Sequence, residues 1–197
     1  MKIRKVGIVT LVILLAGFAI YAEDLKKVMV GEFATDADGW ELYLGKEFPG
    51  AEGNLWREEK EGVQGAGAAS LEGNFSSGGN YVSMNKTFSE AQNVKELTLQ
   101  VKTQDLTNIV LRLIDSTNQT FQVKIPLKDS PEWQTVTLAV KDLVAGKIMA
   151  SWGGAGDGNW AGPAKGMSIV LDKGFLKVKE NKKGSMMIDK VELKVAP

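Results

Sequence analysis

Six glycines and two tryptophans share the sixteen residues from Ser151 to Gly166, with Asp157, Asn159 and Lys165 among them. Glycine permits tight turns and positive φ, and an indole on a loop either packs or binds something. Aromatic faces beside short polar groups suit a sugar, which is apolar on its C–H faces and polar at its rim. On this reading Trp152, Trp160, Asp157 and Asn159 grip a ligand. On the competing reading the two indoles plug the end of a β-sandwich. The residues alone leave both open.

Other chemistry is excluded by what is missing. The chain has no histidine and no cysteine. That removes Ser-His-Asp and Cys-His nucleophile systems and ordinary zinc sites. The glycine-rich loop lacks the Gly-Lys pairing of a phosphate cradle. Glycoside hydrolysis needs two carboxylates at a set separation. The 24 acids always supply candidates, but no Glu-x-Asp-x-x-Glu strand motif is present, and the expectation is a protein that is not an enzyme.

An oxygen-ligand metal remains open. Period two places Asp189 with Val191, Leu193 and Val195, and Glu32 with Val28 and Val30. A buried carboxylate needs a cation, a hydrogen-bond cage or a place at the sheet rim. Asp36 and Asp38 follow Glu32 closely. If the first and last strands are neighbours, Glu32, Asp36, Asp38 and Asp189 could meet around one structural Ca²⁺. Otherwise Glu32 and Asp189 sit at solvated edges, and Asp36 and Asp38 form turns.

The elements that must position these residues are strands. Helical periodicity is scarce, and short alternating runs recur between Gly, Asn, Asp and Pro. The pattern predicts strands at Lys27–Phe33, Leu55–Glu58, Ala68–Asn74, Tyr81–Phe88, Val94–Lys102, Ile109–Asp115, Thr120–Pro126, Gln134–Val140, Met167–Asp172 and Ser185–Val195. The turn Ser116–Gln119 predicts a hairpin. The fold class is all-β: a two-sheet antiparallel β-sandwich of the jelly-roll kind.

The N-terminus reads as a secretory signal peptide over residues 1–22. Lys2, Arg4 and Lys5 precede a nearly all-apolar run from Val6 to Ile20, and Ala22 suits a cleavage site. A single domain then spans residues 23–197, enough chain for a sizeable core. Removing the leader takes three basic residues and no acid, so the mature net charge is −3. No basic run points to nucleic acid. The expectation is a secreted, periplasmic or cell-surface protein with no stable membrane insertion after cleavage.

Ordered short motifs carry a resemblance. They begin with Gly31-Glu32-Phe33 and Asp38-Gly39-Trp40, then Gly73-Asn74-Phe75-Ser76 with Gly79-Asn80-Tyr81-Val82, and Leu99-Gln100-Val101-Lys102. Arg112-Leu113-Ile114-Asp115, Gln119-Thr120-Phe121-Gln122, Trp133 to Leu138 and Ile188-Asp189-Lys190-Val191-Glu192-Leu193 complete the set. The chain resembles the non-catalytic carbohydrate-binding modules of the galactose-binding-like β-jelly-roll superfamily. The resemblance implies a polysaccharide or glycan partner, bound on the concave sheet face or at the edge loops. It also implies a structural calcium at the opening and closing motifs, where Glu32 and Asp189 match. Lys190 stands where the closing motif has a second Asp.

The face candidates are Glu72, Asn74, Ser83, Asn85, Gln100, Lys102, Arg112, Gln122 and Lys124. Arg112 stands out, since its planar donors suit hydroxyls or a uronate carboxylate. Trp56 and Tyr81 join the two loop tryptophans as candidate ligand contacts, while Trp40 and Trp133 read as core plugs. A structural or protein-interaction sandwich is the alternative function, and a polysaccharide-active hydrolase or lyase the weaker one.

Overall fold

The computed structural model describes residues 24–197 apart from Ala66 and Ala145. The leader expected over residues 1–22 lies outside the described residues. Twelve strands form two antiparallel sheets. In chain order they are β1 (Lys26–Gly31), β2 (Glu41–Tyr43), β3 (Glu52–Glu58), β4 (Ala68–Asn74), β5 (Tyr81–Gln92) and β6 (Val94–Lys102). Then come β7 (Asn108–Ile114), β8 (Thr120–Pro126), β9 (Gln134–Ala139), β10 (Ala150–Trp152), β11 (Ala164–Asp172) and β12 (Lys183–Val195). The first sheet runs β3-β4-β12-β6-β9, with β1 beside β12; the second runs β10-β8-β7-β11-β5-β2.

The alternation read from sequence builds both inner faces. Leu97, Leu99 and Val101 of β6 meet Val82 and Met84 of β5, Leu111 and Leu113 of β7, and Ile169 and Leu171 of β11 in one core. The Ser116–Gln119 turn is a hairpin, pairing Ile114 with Thr120, and Asn118 takes the positive φ that the turn demands. β2 and β10 are absent from the sequence-based expectation because three residues are too few to show a period.

The ends of the chain are neighbours, since β1 pairs antiparallel with β12. The shared parity expected of Asp189 and Val191 is corrected by a bulge. Pairing with β6 slips between Asp189 and Glu192, and Lys190 adopts φ 51°. Met186 and Ile188 therefore face the core before the bulge, and Val191, Leu193 and Val195 after it. Asp189 sits opposite Gln100 on the other parity. An extra residue in one strand of a pair reverses the facing of the residues beyond it.

Candidate functional site on the second sheet

The nine face candidates divide between the sheets. Glu72 and Asn74 lie on β4, Gln100 and Lys102 on β6, all in the first sheet. Ser83, Asn85, Arg112, Gln122 and Lys124 lie on β5, β7 and β8 of the second. Strand parity names a face but not the sheet, so these are two separate surfaces.

On the second sheet one row crosses the strands. Gln122 pairs with Ala150 and Arg112, Arg112 with Ser168, and Ser168 with Asn85. Trp152, at the end of β10, stands beside this row and is 44% exposed. Its ring centroid is 5.3 Å from the Arg112 guanidinium carbon. The same carbon is 4.3 Å from the Tyr81 ring centroid. Arg112 Nε donates to Gln122 Oε1 at 2.7 Å. Two aromatic rings and one amide thus surround the cation, and a cation over an exposed ring gains about 0.5–1 kcal/mol.

Tyr81 is buried and offers no open ring face to a ligand. It packs with Val110 and Val170 beneath Tyr43 and Phe175, and Phe48 meets its edge at 6.5 Å. Its hydroxyl donates to Glu47, as does that of Tyr43 at 2.8 Å. Burial and the Glu47 carboxylate push the Tyr81 pKa up to about 12, against the pull of Arg112. Desolvation works to raise Glu47, but the hydrogen bonds from Tyr81, the backbone and Tyr43 hold its carboxyl below the ordinary range. Tyr43 and Glu47 were missed by sequence reasoning; the glycine-containing loop that begins at Phe48 follows them in the chain and borders this face. Lys124 lies over the Phe175 ring at 5.6 Å.

The two loop tryptophans part company. Trp160 meets Phe121 edge-on at 5.4 Å and packs against the main core. Trp160, Asp157 and Asn159 line a cleft of about 1260 Å³ at the sandwich edge, away from the Arg112 row. Asp157 closes a turn by accepting from Asn159 N at 2.9 Å. Gln119, fully buried, donates to Asp157 Oδ1 and the Asn159 carbonyl and accepts from Gly158 N. Buried Asp115 accepts from Thr117, Gln119 N and Ala161 N. Burial works to raise its pKa, but these hydrogen bonds hold it below the ordinary carboxylate range. The loop is therefore seated on the β7–β8 turn. Gly154, at φ +51°, would place a Cβ 2.3 Å from Gln119 N, so only glycine lets the loop lie so close.

Trp56 lies on β3 in the first sheet and donates to Glu58 Oε1 at 2.6 Å. Of the expected ligand contacts, the structure brings together Trp152, Arg112, Gln122 and Tyr81.

The carboxylates expected around calcium are each engaged by donors. Asp38 Oδ2 accepts from Glu32 N and Phe33 N, both at 2.6 Å. Asp36 Oδ1 accepts from Asp38 N at 2.6 Å. Asp189 Oδ2 accepts from Val63 N at 2.8 Å and Oδ1 from Lys190 N at 2.7 Å. Glu32 Oε1 pairs with Lys190 Nζ at 2.9 Å. Glu32 raises the Lys190 pKa, against partial burial. Among the described residues no three His, Cys, Asp or Glu side chains converge as a metal site.

With this geometry in place, likeness to solved structures decides the architecture. A family 11 carbohydrate-binding module of a Clostridium thermocellum cellulosomal cellulase superposes with TM-score 0.59 at 14% identity, over 87% of this chain and 96% of that one. This chain has a two-sheet antiparallel jelly-roll fold. The same family 11 module in complex with a β-1,3-1,4-mixed-linked tetrasaccharide gives TM-score 0.60 at 15% identity, covering 86% of this chain and 96% of that one. A family 29 module mutant complexed with mannohexaose gives 0.51 at 13%, covering 87% and 93%. The chain matches no protein-family model and no curated protein in sequence. Within this fold, the face carrying Arg112 is a sheet surface with the exposed Trp152 at its side, and Trp160 lines the cleft at the sandwich edge while packing on Phe121.

Proposed function

We propose that this chain is a non-catalytic glycan-binding protein, exported by its N-terminal leader, that holds a polysaccharide across the open face of the second sheet. Trp152 supplies an exposed ring for stacking on a sugar face. Arg112 supplies donors, and Gln122 and Asn85 supply mixed amide groups, for hydroxyls at the sugar rim. Phe48 borders the row, being 47% exposed. Tyr81 and Glu47 act as supports, holding Arg112 and the β2–β3 loop in place.

One observation supports this reading: the Arg112 guanidinium carbon lies within 4.3 Å of the Tyr81 ring centroid and 5.3 Å of that of the exposed Trp152. A fixed planar donor beside an exposed indole is an expense for a surface with no ligand. Solved modules of the same fold described with a tetrasaccharide and a mannohexaose support sugar as the ligand class.

Affinity electrophoresis of the mature chain through gels containing soluble β-glucans, mannans, galactans and uronate polymers tests it. Retardation by at least one polysaccharide is expected. Unchanged mobility in all of them contradicts the reading.

A further inference from the structure

The β1–β2 loop is built of oxygens. It carries the Glu32, Asp36 and Asp38 carboxylates and the carbonyls of Phe33, Ala34 and Asp38, beside the bulge at Asp189. Carboxylates mixed with backbone carbonyls are what calcium takes. Here three side-chain cations from three other strands each reach oxygens of this loop, Lys190 the Glu32 carboxylate and Arg57 and Lys86 its carbonyls. Lys190 of β12 pairs with Glu32 at 2.9 Å. Arg57 of β3 donates from Nε to the Phe33 carbonyl at 2.6 Å and from Nη2 to that of Ala34. Lys86 of β5 donates to the Asp38 carbonyl. Asp38 folds back onto its own loop through Glu32 N and Phe33 N.

The three cations tie separate parts of the sandwich. Arg57 and Lys190 belong to the first sheet, at β3 and β12, and Lys86 to the second, at β5. The loop they hold sits at the start of the described chain and carries Phe33, a fully buried core residue at φ 52°. A bound divalent ion would join the same parts, but its position would depend on free metal. Cations on side chains are present at fixed stoichiometry.

We propose that Lys190, Arg57 and Lys86 together take the place of a structural divalent cation, so that the first and last strands are fastened without metal. This holds whether or not the second sheet binds glycan. Lys190 carries the distinguishing position: its left-handed backbone tolerates Asp and Asn better than most residues, and its ammonium lies on the Glu32 carboxylate beside Asp189.

Thermal melts of the mature chain in excess EDTA and in excess Ca²⁺ test this. The unsubstituted protein is expected to show the same midpoint in both. Lys190→Asp, which swaps the ammonium for a further carboxylate between Glu32 and Asp189, is expected to melt several degrees lower in EDTA than in Ca²⁺. Lys190→Asn serves in the same comparison, with a smaller shift, where the Asp variant does not fold. Arg57→Gln is expected to lower the midpoint by several degrees regardless of metal. A calcium-dependent midpoint in the unsubstituted protein overturns the proposal. So does a calcium-independent midpoint in the position 190 variants, or an unchanged midpoint in Arg57→Gln.

Discussion

The outer faces of the two sheets are made from the same alternating pattern and end in different states. On the first sheet the charges answer one another. Lys194 pairs with Glu96 at 2.8 Å, Lys102 with Glu61 at 3.0 Å and Lys27 with Glu192 at 3.1 Å. The amide of Gln100 meets Thr135 at 3.0 Å, and Trp56 is bonded to Glu58. On the second sheet, among the described residues, no acid lies within ion-pair distance of Arg112 or Lys124. Both cations lie instead against aromatic rings. A face whose polar groups satisfy each other is finished in water. The second face, with a guanidinium against aromatic rings outside any ion pair and an exposed indole, is the one the proposed glycan site uses.

The same contrast holds within one loop. Trp152 and Trp160 are eight residues apart and do opposite work, one on the open face and one against Phe121. Trp160→Ala should have the largest effect on the molecule, costing about 2–4 kcal/mol of stability, somewhat below a fully buried Trp→Ala. Urea unfolding reads this as a lower midpoint, and the folded fraction should retain its glycan affinity. A loss of affinity without a loss of stability would erase the distinction between the two indoles.

Arg112→Ala comes next. It removes the donors and the partner of both rings, and an affinity loss of about thirtyfold or more, about 2 kcal/mol, is expected by calorimetry. Arg112→Lys should recover little, because a point charge does not reproduce a planar fork. Full recovery by Lys would make the site one of charge alone.

Alkaline pH sharpens the comparison through Tyr81. Its folded pKa, about 12, lies above the ordinary value of 10.0. Its contribution to stability is therefore fully present below pH 10 and is lost as pH rises through about 12. An ultraviolet tyrosinate titration should show Tyr81 ionising late, and Glu47→Gln should lower its pKa only in part, because burial, the larger cause, remains. Trp56→Ala, on the finished face, should leave glycan affinity unchanged within error. A tenfold loss there would relocate binding to the first sheet.

Much of the fold was legible because β-alternation is local. Ten of the strands are visible as alternating or apolar runs between turn residues, and the Ser116–Gln119 hairpin comes from its polar turn. Asp189 was misplaced because a bulge at Lys190 leaves no mark in a period-two count. Arg112 and Gln122 were recognisable as mid-strand polar residues. Their separation from Gln100 and Lys102 depends on strand order, which parity does not encode. Tyr43 and Glu47 were hidden by the brevity of β2 and by a contact to Tyr81 across 34 residues. Trp152 and Trp160 looked alike in sequence because their difference is set by β10 pairing with β8 and by the Asp115–Gln119 seat beneath the loop.

The most direct test of the central claim sets the two loop tryptophans against each other in one gel. Affinity electrophoresis compares Trp152→Ala and Trp160→Ala on a polysaccharide that retards the unsubstituted chain. Trp152→Ala is predicted to lose at least tenfold in affinity, about 1.4 kcal/mol, with unchanged unfolding. Trp160→Ala should run as retarded as the parent while unfolding at lower urea. Equal retardation of Trp152→Ala and the parent would contradict a glycan site at the exposed indole.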